Sequence, residues 1–243
     1  MSWAGSEPWD VYLGARSGGV ARCGQDAVWK DHATVAAGMA ALFERVNASR
    51  RRWLRPAVRI WLSGSLARPF VFEPPDGLKN AAEAHALAQA RAGDATGLAG
   101  PCAVWLSQAA VGQAQLAVAL DMAGRSALMS AAELAKVKVV SIRPWWALAL
   151  NQALARQPDL ALLAAEDSEA LTLLVCRDDV WVAADAYAPK PTQAELEPLV
   201  TRRLFAADLA DGAACRVRLD GTALADSAQA WPAAALLPSL EQT

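Results

Sequence analysis

The sequence has few of the residues that metal and cofactor sites require. Its 243 residues include two histidines and four cysteines, and the cysteines are scattered, with no two at metal-ligand spacing. No zinc pattern and no glycine-rich dinucleotide fingerprint is present. The sequence therefore predicts neither a Cys/His metal centre nor a Rossmann-type cofactor site.

Long apolar runs and a basic excess are also missing. The apolar stretches fall far short of the roughly 20 residues that cross a bilayer, and the opening MSWAGSEPWD lacks the regions of a signal peptide. The net charge of −2 differs from the basic balance of proteins that bind nucleic acid or anionic membranes. We expect a cytoplasmic protein with no nucleic-acid partner and no direct membrane span.

What the sequence does contain is a pattern that occurs twice. Hydrophobic residues make up 54% of the chain. Their spacing predicts three strands and a helix over residues 11–47 and again over residues 160–209. A further strand follows each helix, at Val58–Leu62 and Cys215–Leu219. The predicted class is α/β, with two related βββαβ lobes.

The two predicted lobes differ in size. The first covers residues 10–156 and includes a strand pair at 101–106 and 115–120 and helices at 78–92 and 130–137. The second, reduced lobe covers residues 157–220, and a tail covers residues 221–243.

Four segments carry a resemblance to a known fold. They are Tyr12-Leu13-Gly14, Leu62-Ser63-Gly64-Ser65-Leu66, Val140–Pro144 and Leu160–Val175. In order and spacing they resemble the actin-like fold, also called the ribonuclease H-like fold. They are particularly similar to the cytoplasmic actin-like proteins of type IV pilus and type II secretion assembly, which are the pilus M protein and the cytoplasmic part of the secretion L protein.

The chain departs from this family at both hairpins. ATP-binding members carry an aspartate followed by glycine in each, so that backbone N–H groups cradle the phosphates. Here Tyr12 stands nearest the first aspartate position, and Glu166-Asp167-Ser168 in the second hairpin has no glycine. Without glycine the backbone approaches a phosphate less easily. The resemblance with these departures implies a pseudo-ATPase that hydrolyses no nucleotide and needs no cofactor.

The function that the resemblance implies is that of a non-catalytic scaffold. Its expected partner is an inner-membrane pilus or secretion assembly protein, which would place the chain at the inner membrane. The sequence decides neither whether an assembly ATPase is a second partner nor whether the chain forms a homodimer. The secretion L proteins continue into a membrane helix, whereas this sequence ends at Thr243. The chain either resembles the pilus M protein, recruited through a partner's tail, or is cut before such a helix.

Enzymatic alternatives depend on few residues. An actin-fold ATP-dependent small-molecule kinase would need a phosphate loop and a larger second lobe. A two-metal nuclease could use Asp10 and Asp121, but Asp10 precedes the strand. Ala15–Gly19 mimics a nucleophile elbow between two strands, where an elbow needs a strand followed by a helix. His32 and His85 are interpreted as surface or capping residues. The third alternative is a binding module unrelated to secretion.

Tryptophan is the one abundant aromatic residue, with 10 tryptophans against two tyrosines and four phenylalanines. Trp61, Trp105 and Trp181 are predicted to be core residues of strands. Trp145 and Trp146 are adjacent at a helix start, so we expect one to pack between the lobes and the other to be exposed. Because tryptophan is enriched at binding hot spots, the predicted partner-binding residues are Arg143, Trp145 and Trp146. Packing between the lobes is the simpler explanation of the pair.

Overall fold

A computed structural model of the chain describes residues 7–22, 27–48, 55–107, 112–209 and 214–219. The predicted tail, residues 221–243, lies outside these ranges. None of the helices in the described ranges is long and apolar enough to cross a membrane. The division of the chain into lobes at residues 156 and 157 stays a prediction.

The first βββαβ unit forms most of a five-stranded sheet. Its elements are β1 (Trp9–Leu13), β2 (Ser17–Ala21), β3 (Val28–Asp31), α1 (Val35–Ala48) and β4 (Ala57–Leu62), and β8 (Lys138–Pro144) joins at the edge. The strand order is β3-β2-β1-β4-β8. The first three strands pair antiparallel, whereas β4 runs parallel to both β1 and β8.

The second unit repeats this arrangement. Its elements are β9 (Leu162–Glu166), β10 (Leu171–Arg177), β11 (Val180–Tyr187), α5 (Gln193–Ala206) and β12 (Ala214–Arg218). The strand order β11-β10-β9-β12 is that of the first unit, and β12 again runs parallel to the first strand of the unit. The predicted duplication is therefore confirmed in element order, strand order and strand direction.

A three-stranded antiparallel sheet is inserted between β4 and β8. It consists of β5 (Ala67–Phe72), β6 (Cys102–Leu106) and β7 (Gln115–Asp121) in the order β5-β7-β6, with helices α2 (Ala81–Thr96) and α3 (Met122–Leu134). The helix predicted over residues 130–137 begins earlier. Asp121 caps it by accepting a hydrogen bond from the Gly124 N–H at 2.7 Å. Lys136, with φ of 55°, follows its end.

Helix α4 (Trp145–Arg156) lies between the two repeated units. Trp145 and Trp146 belong to one buried cluster with Tyr12 and Trp61 of the first sheet and Leu163 of the second. Both tryptophans are buried, at 1% and 2% exposure, so the expectation that one is exposed is wrong. The reason is that this cluster has walls from both sheets as well as from α4, and a single helix start can therefore bury two adjacent rings.

The central strands of the first sheet are covered on both faces. Ile60 and Leu62 pack with α1 and α3, whereas Trp61 points to the opposite face and the cluster around α4. This two-sided burial accounts for the nearly all-apolar VRIWL strand.

Trp105 corrects another expectation, because its side chain is 43% exposed. Cys102 and Val104 of β6 point into the cluster against α2. Trp105 directly follows Val104 along the strand, so its side chain faces the other side of the sheet. Trp61 is buried as predicted, at 4% exposure, and Trp181 is partly buried against the α4 cluster.

Candidate functional site

The turns of two equivalent hairpins meet at one place. The first hairpin is β1–β2, with turn residues 14–16, and its turn is closed by a 2.8 Å hydrogen bond from the Gly14 N–H to the Ser17 carbonyl. The second hairpin is β9–β10, with turn residues 167–170, and it is closed by the Asp167 N–H and the Ala170 carbonyl at 3.0 Å. The side chains of the second turn enter the first.

The Glu169 carboxylate occupies the turn of the first hairpin. It accepts hydrogen bonds at 2.5 Å from each of three consecutive backbone N–H groups, those of Ala15, Arg16 and Ser17. The Ser65 hydroxyl donates to the same carboxylate at 3.2 Å. Successive backbone N–H groups that converge in this way form an anion-binding concavity. In this chain the anion is one of its own side chains.

Gly14 makes this close approach possible. A Cβ atom at position 14 would lie 2.6 Å from the Glu169 carboxyl carbon and from its Oε1. The glycine is therefore needed because the carboxylate packs against its backbone. A side chain at position 14 would clash with the Glu169 carboxylate in its present position.

Asp167 fastens the second hairpin to the end of β4. Its Oδ2 atom accepts hydrogen bonds from the Ser63 hydroxyl and the Gly64 N–H, both at 2.9 Å. Its Oδ1 atom accepts from the N–H groups of Glu169 at 2.9 Å and Ala170 at 2.7 Å, which shapes the turn. Burial raises the pKa of the Asp167 carboxyl, and the hydrogen bonds oppose that rise only in part.

Tyr12 stands where the sequence predicts it, on the strand that leads into the first turn. Its hydroxyl lies 3.2 Å from the Ser168 hydroxyl, which is in turn 2.6 Å from the hydroxyl of Ser17. Burial, and then the charge of Asp167, hold the pKa of the Tyr12 phenol well above its usual value of 10.0. The position therefore carries a neutral phenol, which is a poor substitute for a metal-binding carboxylate.

These contacts form a closed junction between the two hairpins. The N–H groups of the first turn and both Asp167 oxygens already have partners. The sequence shows Asp167 only as part of a glycine-free turn, and it does not predict the role of Glu169. The available signal was the acidic pair flanking Ser168, opposite a glycine-containing turn.

The three predicted partner-binding residues are close in the chain but differ in accessibility. Arg143 is exposed at the end of β8. Trp145 and Trp146 are core residues, and the Trp146 Nε1–H donates to the Ala67 carbonyl at 2.9 Å. Partner binding at this segment stays a prediction, and Arg143 is the member of the set whose side chain a partner can reach.

The acidic residues considered for metal chemistry have structural partners. Asp10 lies within β1, although it was predicted to precede the strand. Its buried carboxylate accepts from Arg59 and from the Trp61 indole, both at 2.8 Å, and Asp121 caps α3. Within the described ranges, no group of three or more His, Cys, Asp or Glu side chains is placed to hold a metal ion.

The residues considered for the remaining catalytic alternatives also have structural roles. The His85 Nε2 atom is 2.9 Å from the Val104 carbonyl and ties α2 to β6. The His32 ring packs against Gly38 of α1. The segment 15–19 joins two strands, as predicted, and does not form a nucleophile elbow.

Two βββαβ units with identical strand order, packed on either side of a linking helix, define an actin-like fold. Comparison with solved structures agrees. The chain matches the structure described as a "PilM-PilN type IV pilus biogenesis complex" with a TM-score of 0.53 and 15% identity, over 90% of this chain and 68% of that one. The predicted actin-like fold, and the similarity to pilus and secretion assembly proteins, are confirmed at the level of the fold.

Two further structures are similar at lower scores. One is the cytoplasmic domain of EpsL, an inner-membrane component of the type II secretion system of Vibrio cholerae, with a TM-score of 0.46 and 14% identity over 79% of this chain and 74% of that one. The other is a Bacteroides thetaiotaomicron protein with an actin-like ATPase fold and unknown function, with a TM-score of 0.48 and 10% identity over 84% and 80%. No family model and no curated protein matches the sequence.

Proposed function

We propose that this chain is a non-catalytic actin-like scaffold of a type IV pilus or type II secretion assembly platform. It works on the cytoplasmic side and binds an inner-membrane component. The similarity to a PilM–PilN complex supports the biological setting. The observation that carries the non-catalytic part is the Glu169 carboxylate in the turn of the first hairpin.

Nucleotide binding in this fold needs the turn of the first hairpin to be free. A phosphate at this turn would have to take the same three N–H groups that Glu169 holds, and two anions within a few ångströms repel each other. Opening the site would therefore require removal of a carboxylate that also ties the two hairpins together. The kinase-like alternative needs that removal, and the scaffold does not.

Calorimetric titration with Mg-ATP tests the pseudo-ATPase part. We expect no binding in the micromolar range by the wild-type chain. Glu169→Ala is the informative companion, because it frees the three N–H groups without altering Tyr12 or Asp167. Micromolar binding of Mg-ATP by the wild-type chain would contradict the proposal.

Capture experiments test the scaffold part. The baits are short cytoplasmic tails of inner-membrane pilus and secretion proteins, chosen from the genes that neighbour this one. We expect the wild-type chain to retain at least one of them. Arg143→Glu is expected to weaken that capture, and Lys138→Glu is its control because Lys138 is exposed at the opposite end of β8. A neighbourhood of metabolic genes, with no tail retained, would argue against the scaffold.

A further inference from the structure

A group of positive charges surrounds one carboxylate behind the second hairpin. Glu166 ends β9, and its side chain is 6% exposed. The Arg216 Nε–H donates to Glu166 Oε1, and the Arg218 Nε–H donates to Oε2 at 3.2 Å. The Lys190 ammonium is 3.9 Å from the same carboxylate. Among the described residues, these three cations share a single acidic partner, which leaves a formal excess of two positive charges there.

Within the described ranges, neighbouring acids do not remove this excess at the pocket. The Asp167 carboxylate points to Ser63 and Gly64, and only its main-chain carbonyl meets Lys190, at 3.1 Å. The Glu195 carboxylate turns back to the start of α5, where it accepts from the Thr192 N–H at 2.8 Å. The Arg216 side chain is only 13% exposed, so its charge is poorly screened by water.

The charged groups line a pocket of about 240 Å³. Its walls come from the ends of β9 and β12 and from the segment that begins α5, including Thr192 and Gln193. The Gln193 side-chain oxygen accepts from the Nη2 groups of Arg216 at 2.8 Å and Arg218 at 3.4 Å. Both guanidinium groups are therefore oriented before any ligand arrives, and no described residue accepts from either Nη1 group.

We propose that this pocket binds a doubly charged oxyanion, of the class of inorganic phosphate or the phosphoryl group of a small metabolite. The excess of two positive charges matches a dianion. Arginine guanidinium groups present N–H donors in the planar geometry that phosphate oxygens accept. This site is separate from the hairpin junction, and it does not depend on the scaffold role.

The test is phosphate binding by the whole chain at fixed ionic strength and slightly alkaline pH. Thermal unfolding and NMR titration with inorganic phosphate are compared with chloride and acetate. We expect saturable stabilisation by phosphate and not by the monovalent anions. The double variant Lys190→Gln/Arg218→Gln keeps the Arg216 pair with Glu166, so it should fold, and its phosphate dissociation constant should rise by about tenfold or more.

A charge-matched control separates a site from general attraction. Arg91→Gln/Lys138→Gln removes two exposed charges, from α2 and β8, and should leave phosphate binding unchanged. Glycerol phosphate, titrated in parallel, identifies the source: tighter binding than inorganic phosphate indicates the phosphoryl group of a metabolite, and weaker binding indicates the free ion. Equal stabilisation by phosphate and chloride, or equal losses in the two double variants, would overturn the proposal.

Discussion

The Glu169 carboxylate and the backbone N–H of Arg16 are 2.5 Å apart, although 153 positions separate them in the chain. The contact joins the second repeated unit to the turn of the first. Because Ala15 and Ser17 donate to the same carboxylate, the two hairpins are held together by the chain itself. The proposed scaffold role would need one stable shape without a ligand, and this contact is consistent with that need.

Glu169→Gln should therefore lower stability while preserving the size of the side chain. The amide has only one acceptor oxygen, and its NH₂ group would face backbone donors. We expect a loss of about 1 kcal/mol in the free energy of unfolding, because part-buried and exposed donors recover part of the lost hydrogen bonding from water. Urea denaturation measures it.

The control for this variant is Glu197→Gln, an exposed residue of α5. It removes the same charge and should change stability by less than about 0.5 kcal/mol. Equal effects of the two substitutions would mean that the contacts of Glu169 contribute nothing beyond its charge.

A double-mutant cycle tests the packing of Glu169 against Gly14. Gly14→Ala places a methyl group where the carboxylate lies, since the added Cβ would be 2.6 Å from it. The substitution should be costly in the wild-type chain and nearly neutral when it is added to the Glu169→Ala variant, which already lacks the carboxylate. The expected coupling energy is on the order of 1–3 kcal/mol. Additive effects would show that the close approach carries no strain.

Much of the fold was predictable because the relevant signals are local. The spacing of apolar residues in VRIWL and in Leu160–Ala165 indicates strands covered on both faces, and the repetition of the unit indicates the topology. The boundary of α3 was missed because it depends on one cap, Asp121 to Gly124, and not on periodicity.

The junction itself was not predictable in detail. The absence of an aspartate at Tyr12 and of glycine in the second turn is visible in the sequence. The partner of the first turn is not, because Glu169 is brought there by contacts across more than 150 positions. The burial of both Trp145 and Trp146 was missed for a similar reason, since their shared cluster has walls from two separate sheets.

The two adjacent tryptophans give a matched pair of substitutions. The Trp146 indole N–H donates to the Ala67 carbonyl, whereas the buried Trp145 Nε1 has no acceptor among the described residues. Trp146→Phe loses ring volume and a buried hydrogen bond, whereas Trp145→Phe loses ring volume and a donor that has no acceptor among the described residues. We expect Trp146→Phe to be more destabilising by about 1 kcal/mol. Denaturant midpoints of the two variants measure the difference, and the opposite order would contradict the assigned hydrogen bond.

Glu195 gives a prediction about pH. Hydrogen bonds from the backbone and side chain of Thr192 lower the pKa of the Glu195 carboxyl below its ordinary value of 4.5. A lowered folded-state pKa means that the native state binds the proton less readily than the unfolded state. The stabilisation is therefore present above 4.5 and is lost as pH falls through the folded-state pKa. Glu195→Gln should be less stable than the wild type at neutral pH, and the gap should narrow as the pH falls below 4.5. Urea unfolding across this range measures the gap, with Glu197→Gln as the reference. A gap that persists unchanged in acid would show that the cap works through contacts other than the ionised carboxylate.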